Sequence, residues 1–322
     1  MGIQEEAKEL RKFWGGFWAP RVILTANNYR VFDHLGTPKT ADQVAKAIKA
    51  DKRATGIMLD ALVGLGLLKK TAKTYKNTPL ATRFLVKDSP YYQGDIIRHA
   101  DALWQKWSDL DAIVKTGKPS ARGRDHASFI KGMHNIAVFK APPVIDAIGL
   151  KGVKKAMDLG GGPGTYAIEL AKRGIDVTIF DLPETINVAK EMVKKSGLKN
   201  ISFIKGNIFS DSINGTYDLI LMSQLLHAFS VEESLIALRR CKEALNPGGR
   251  VVIHEFFIDT TMTAPLPAAL FSVNMLVNTP AGRCYPPAEM KQWLKQLGFK
   301  EIKETMLEDT VLVSGKKPRY LS

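Results

Sequence analysis

Cysteine is nearly absent. Cys241 and Cys284 are the only two in 322 residues, which excludes a disulfide-stapled fold, and their separation matches no metal-binding spacing. His99, His126 and His134 lack the carboxylate companions of a catalytic metal centre, so no metal is expected. Long apolar runs are missing as well. Spanning a bilayer takes roughly 20 apolar residues, and the longest candidate, Ala264–Val277, is broken by Pro265, Pro267 and Asn274. No charged-then-apolar leader opens the chain, so a cytoplasmic protein without integral membrane association is expected. There is no internal repeat and no low-complexity tract.

Acidic residues are the scarcer charge, 32 against 46 basic ones, for a net charge of +14. Most of the imbalance lies in residues 1–150, which opens the question of a nucleic-acid or acidic partner. The lysines there (Lys39, Lys46, Lys49, Lys52, Lys69, Lys70, Lys73 and Lys76) are scattered rather than gathered on one helical face, which favours a solvated surface.

One further absence selects a ligand. Residues 156–164 (Ala-Met-Asp-Leu-Gly-Gly-Gly-Pro-Gly) end an apolar run in a tight glycine turn, and Phe180-Asp181 ends a second run about twenty residues on. This is the layout of a nucleotide-binding βαβ unit, with the acid on the ribose hydroxyls. The dinucleotide fingerprint needs a third glycine at 165, counted from Gly160 and Gly162, where Thr165 stands. Pro163 also removes an N–H that a pyrophosphate would use. A nucleoside ligand without phosphates fits better, and S-adenosylmethionine (SAM) is one, with Asp181 on its ribose.

Around this unit the pattern alternates strand and helix. Strands are expected at Lys154–Leu159, Asp176–Asp181, Ile201–Gly206, Tyr217–Ser223 and Arg250–Phe257. The helices between them fall at Gly164–Arg173, Glu184–Ser196 and Glu232–Leu245. The expected fold is α/β, a doubly wound, mostly parallel, Rossmann-like sheet. Lys300–Leu307 and Thr310–Ser314 would add an antiparallel pair. Ahead of it, a helical stretch at 26–35, helices at Ala41–Ala50 (capped by Thr40) and Arg53–Leu65, and short strands at 66–70 and 74–78 give a winged-helix layout. Residues 91–150 read as aromatic-rich helices, with Pro142-Pro143 starting the last one. Three regions result: a domain over 1–90, a helical bridge over 91–150 and a cofactor domain over 151–322.

These segments resemble the SAM-dependent O-methyltransferase family that includes the caffeate and acetylserotonin enzymes, over nearly the whole chain. The resemblance is carried by the glycine turn, Asp181-Leu182-Pro183, Gly206-Asn207-Ile208-Phe209, Leu226-His227-Ala228-Phe229-Ser230, Asn246-Pro247-Gly248-Gly249, Leu297-Gly298-Phe299, and Leu65-Gly66-Leu67-Leu68 with Tyr75-Lys76-Asn77-Thr78-Pro79-Leu80 in the first domain. It implies a class I SAM methyltransferase fold with an N-terminal winged-helix dimerisation domain, hence a homodimer acting on a small-molecule acceptor. Its implied cofactor site comprises Asp158, Gly160, Gly162, Gly164, Asp181, Leu182, Asn207, Ile208, Phe209 and Ser223, holding SAM and its product S-adenosylhomocysteine (SAH). Asn207 stands where the family usually has an acid, and its amide oxygen can still accept from the adenine amino group.

The resemblance also makes His227 the catalytic histidine. Methyl transfer to oxygen needs the acceptor aligned with the methyl and its proton removed, which an imidazole can do near neutral pH. Against this stands a histidine that caps the strand or fills the pocket wall; its motif position favours the base. Ala228 replaces an Asp common in the family, so the imidazole must be oriented from elsewhere. Glu255 matches a glutamate flanking that histidine and is read either as an orienting group or as a solvated strand-end carboxylate. The usual second flanking glutamate has no acidic equivalent at 274–283, where Asn278 and Arg283 are the polar candidates. Phe129, Met133, Ile136, Phe139, Phe271, Met275 and Leu276 would line an apolar pocket or serve as core. Trp14, Phe17 and Trp18 suit a dimer interface better than a membrane surface.

The expected activity is methyl transfer from SAM to a hydroxyl of a small, largely apolar or aromatic molecule. A C- or N-methyltransferase, or a non-methylating enzyme on the same scaffold, is the alternative. A winged-helix DNA-binding regulator is disfavoured, because the segment 53–65 is mainly apolar where a groove reader carries Arg, Asn or Gln. No nucleic-acid partner is expected.

Overall fold

In the computed structural model, which describes residues 2–123 and 125–319, the chain opens with α1 (Ile3–Gly15) and α2 (Trp18–Asn28). No side chain of α1 is buried. The helix expected at 26–35 is interrupted: Arg30 takes a left-handed conformation (φ 54°), and a 3-10 turn over Val31–His34 follows. Composition does not reveal this break, since arginine is an ordinary helix former. After β1 (Lys39–Thr40), α3 (Ala41–Ile48) starts from a capping box between Thr40 and Gln43. Asp51 caps α4 (Lys52–Gly64) through the Ala54 N–H. Then come β2 (Leu68–Thr71), β3 (Thr74–Asn77), α5 (Pro79–Leu85) and α6 (Gly94–Trp107). The three strands pair antiparallel in the order β1-β3-β2. Phe32, Leu35, Val44, Leu59, Leu62 and Tyr75 close the core of this winged helix. The compact unit they build runs to Leu103, past the boundary expected at 90.

The second unit, from Trp104 onward, includes α7 (Leu110–Thr116) and the 23-residue α8 (His126–Ile148). Pro142 and Pro143 lie inside α8 rather than at its start. An interior proline costs about 3 kcal/mol, and α8 absorbs two because Ala141, Val144, Ile145 and Ile148 around them are buried against the sheet layer. The sheet elements follow: β4 (Lys155–Leu159), α9 (Thr165–Lys172), β5 (Asp176–Asp181), α10 (Pro183–Ser196), β6 (Ile201–Lys205), β7 (Tyr217–Ser223), α11 (Val231–Ala244) and β8 (Leu245–Phe256). Next are α12 (Leu266–Asn278), α13 (Pro287–Gln296), β9 (Lys300–Met306) and β10 (Thr310–Lys316).

Seven strands pair in the order β6-β5-β4-β7-β8-β10-β9, the first five parallel and the last two antiparallel. The doubly wound sheet is therefore present. Strand alternation divides its side chains between two cores: Leu219, Leu221 and Val252 meet α8, α9 and α10, while Ile220, Met222, Val251 and Ile253 meet α11 and α13. β8 begins earlier than expected, at Leu245, because the Pro247-Gly248 stretch (Gly248 φ 81°) makes an irregularity in the strand instead of a loop before it.

Candidate active site

Strand order reverses between β4, which leads by α9 to β5 on one side, and β7 on the other. Ligands of open α/β sheets bind at such a point, beyond the carboxyl ends of the strands. The glycine turn follows β4 there, and Asp181, Ser223 and Glu255 come from the ends of β5, β7 and β8.

Two carboxylates shape the turn. Asp181 accepts the Gly162 N–H on one oxygen (2.8 Å) and the Leu182 N–H on the other (2.7 Å), which ties β5 to the loop after β4. Asp158, 1% exposed, accepts the Ala167 N–H (3.1 Å) at the start of α9. Burial pushes Asp158 up to about 7, opposed by that N–H and reinforced by the Asp181 charge. Burial raises Asp181 too, against the Gly162 and Leu182 donors. Gly160 sits at φ 67°, where an added Cβ would come within 2.7 Å of the Leu225 side chain. Gly162, at φ 54°, faces open space, with nothing within 4 Å of a Cβ built on it. Open space over a positive-φ glycine whose N–H is held by the Asp181 carboxylate suits a polyhydroxylated, cationic nucleoside. SAM, with its ribose hydroxyls, ammonium and sulfonium, has that chemistry.

The remaining residues expected at the cofactor fall along the same edge. Asn207 is exposed, and its amide oxygen accepts the Phe209 N–H (2.9 Å), so it closes its own turn. Ile208 is buried, while Leu182 is 40% exposed. The Ser223 hydroxyl lies 2.8 Å from His254 Nδ1.

His227 stands on a 3-10 turn (Leu226–Ala228) after β7. Its Nδ1 lies 2.7 Å from Glu255 Oε2, and the other Glu255 oxygen accepts the backbone N–H groups of Leu225 (2.9 Å) and His227 (3.3 Å). A carboxylate only accepts, so Nδ1 is the donor, and in the neutral ring that tautomer leaves the lone pair on Nε2. Glu255 is 2% exposed and so is not a solvated strand-end acid. It provides the orientation that Ala228 does not.

Phe271 of α12 meets the His227 ring edge-on (centroids 4.9 Å) and packs on Phe256 (4.5 Å), so the imidazole has an aromatic wall. Other residues expected at the pocket are more dispersed. Phe129 and Met133 are half-buried on α8, whereas Ile136 is 41% exposed and Phe139 lies on the surface. Met275 is buried within α12. Asn278 donates to the Asn274 carbonyl (2.8 Å), and Arg283 pairs with Glu289 (2.8 Å) over the Tyr285 ring. Sequence reasoning missed Gly282: a Cβ there would lie 2.3 Å from the His227 carbonyl oxygen, so the loop before α13 presses on the histidine turn. The Thr279-Pro280 pair ahead of it marks a loop, but nothing in the sequence says where that loop lands.

Among the described residues, no group of His, Cys, Asp and Glu is arranged to hold a metal ion, and no helix is long and apolar enough to cross a membrane.

Comparison with known proteins agrees with this architecture. The O-methyltransferase domain family matches residues 99–300, and the O-methyltransferase dimerisation domain matches residues 12–87. A 3-hydroxy-5-methyl-1-naphthoate 3-O-methyltransferase of Streptomyces sahachiroi is 30% identical over 304 residues, covering 89% of this chain and 88% of that protein. The tetracenomycin polyketide synthesis 8-O-methyl transferase TcmO of Streptomyces glaucescens is 30% identical over 322 residues, covering 94% of each. The crystal structure of human N-acetylserotonin methyltransferase in complex with SAM superposes with a TM-score of 0.89 at 25% identity, over 99% of this chain and 100% of that one. With both domains matched and the glycine turn, acid and histidine in place, the chain belongs to the SAM-dependent O-methyltransferase family.

Proposed function

We propose that the protein methylates a phenolic hydroxyl of an aromatic or polycyclic small molecule, as a homodimer and without a metal, using His227 as general base. The observation that carries this reading is the Glu255–His227 pair: a buried carboxylate fixes the tautomer that leaves Nε2 able to take a proton. Asp158, Gly160, Gly162, Gly164, Asp181, Leu182, Asn207, Ile208, Phe209 and Ser223 would hold SAM, which supplies an already activated methyl group on a sulfonium. With the donor activated, the protein's work is positioning and deprotonation. His227 Nε2 takes the acceptor's proton as its oxygen is methylated. Glu255 stabilises the resulting imidazolium and holds the ring in place, and the proton then leaves to solvent. Phe271 and Phe256, packed with their rings tilted at 52°, present an apolar aromatic wall beside the imidazole that suits an aromatic acceptor, consistent with relatives named for a hydroxynaphthoate and for tetracenomycin polyketide synthesis.

In this reading residues 1–90 dimerise, 91–150 contribute Phe129, Met133 and Ile136 to the acceptor pocket, and 151–322 bind the cofactor. Supporting the dimer, Leu10, Phe13, Trp14, Phe17 and Trp18 form an apolar surface, each at least 48% exposed. The test is incubation with SAM and hydroxylated naphthoates in the presence of a chelator, with product analysis by mass spectrometry and NMR. An O-methyl ether is expected. Methylation at carbon or nitrogen, or activity abolished by the chelator, would overturn the proposal.

A further inference from the structure

On the other face of β8 lies a polar line that deprotonation does not use. His254 precedes Glu255 and therefore projects to the opposite side of the sheet, where its neighbours Val252 and Leu312 belong to an apolar core. It is fully buried, with a hydroxyl at each ring nitrogen: Ser223 Oγ at 2.8 Å from Nδ1 and Thr310 Oγ1 at 3.0 Å from Nε2. Tyr166, from the first turn of α9, meets the ring edge-on (centroids 5.7 Å). Ser223 Oγ is thus held by the imidazole at the carboxyl end of β7, the strand beside the one that ends in the glycine turn. Burial drives the imidazole down to about 4, so it is neutral near pH 7, with one nitrogen donating and the other accepting. A buried imidazole in an apolar core costs stability unless both nitrogens are satisfied. Packing alone would be met by the valine and leucine around it.

We propose that His254 is a positioning residue for the cofactor: anchored by Thr310, it fixes the Ser223 hydroxyl in one rotamer and so holds a polar contact to SAM at the end of β7. The inference rests on the reading that Ser223 borders the cofactor. Without His254 the hydroxyl is free to take any of its staggered rotamers, and a hydrogen bond to a charged ligand is lost for part of the time.

The experiment compares His254→Leu, which removes both partners, with His254→Asn, whose amide keeps a polar group at the Nδ1 position. Cofactor KM, kcat, acceptor KM and the calorimetric Kd for SAH are measured for each. His254→Leu should raise cofactor KM and SAH Kd by about tenfold while kcat falls less than about threefold, and His254→Asn should recover most of the affinity. Ser223→Ala should reproduce His254→Leu, and the double variant should add nothing further. Should His254→Leu fail to fold, Thr310→Val removes only the anchor and should weaken SAH binding by about threefold. Cofactor affinity unchanged in a folded His254→Leu or Thr310→Val, a loss confined to kcat, or additivity with Ser223→Ala would overturn the proposal. Asp181→Asn separates the two ideas. If it weakens SAH binding and His254→Leu does not, the positioning role fails alone; if neither does, the cofactor reading fails with it.

Discussion

Glu255 holds His227 twice, at the ring through Nδ1 and at the backbone through the His227 N–H, so one buried carboxylate sets both the tautomer and the path of the turn that carries it. The two roles separate by substitution. Glu255→Gln keeps a carbonyl oxygen for the backbone donors but loses the charge that steadies an imidazolium. It should lower kcat by about 10–1,000-fold with cofactor KM unchanged. Glu255→Ala also strands the buried N–H groups of Leu225 and His227, at about 1–3 kcal/mol each, and should lower the melting temperature as well. Steady-state kinetics beside thermal denaturation check both.

Gly282 tests the same turn from outside. Its missing Cβ admits the His227 carbonyl, which an alanine would place at 2.3 Å. Backbone must then move, and displacements near 1 Å cost about a hundredfold in rate. Gly282→Ala should lose kcat on that scale while SAH affinity, measured by calorimetry, stays near wild type.

Asp158 and His254 pull the pH dependence of stability in opposite directions. Asp158 is raised from 3.8 to about 7, so between these values the folded state binds more protons than the unfolded one and stability falls as pH rises. His254 is lowered from 6.5 to about 4, so in that window the unfolded state binds more protons and stability falls as pH drops. From pH 4 to 6.5 the two offset. For cofactor-free protein, Asp158→Asn should therefore expose acid lability, and His254→Asn should leave stability rising as pH is lowered. Urea denaturation at pH 5, 6 and 7 reads both slopes, and parallel profiles for all three proteins would contradict the assignment.

The apolar stripe of α1 supplies a further prediction. Trp14 is 62% and Phe13 80% exposed. Phe13→Glu with Trp14→Glu should shift sedimentation from dimer to monomer, since charge buried in an apolar interface weakens it. A dimer that persists in the double variant would place the interface elsewhere.

How far the sequence disclosed this site depended on chain distance. The glycine turn and Asp181 lie within one βαβ unit, so spacing alone places them side by side, and in the structure the Gly162 N–H donates to Asp181. His227 and Glu255 were visible as residue types, but their contact joins the ends of adjacent strands 28 residues apart and depends on register. The absence of an acid at 228 raised the question that Glu255 answers. Pro142-Pro143 misled because local propensity predicts a helix start where tertiary burial carries the helix through. Gly282 and His254 left no local signal: the first matters through a loop landing on another turn, the second through which face of a buried strand it occupies.

The central claim is that His227, steadied by Glu255, removes the acceptor's proton above a cofactor site it does not itself build. The most direct measurement is the turnover of His227→Ala at saturating SAM and hydroxynaphthoate, paired with its SAH Kd. Turnover should fall by about 10²–10⁴-fold with the Kd close to wild type. Turnover close to wild type, or a loss explained by failed SAH binding, would contradict the account.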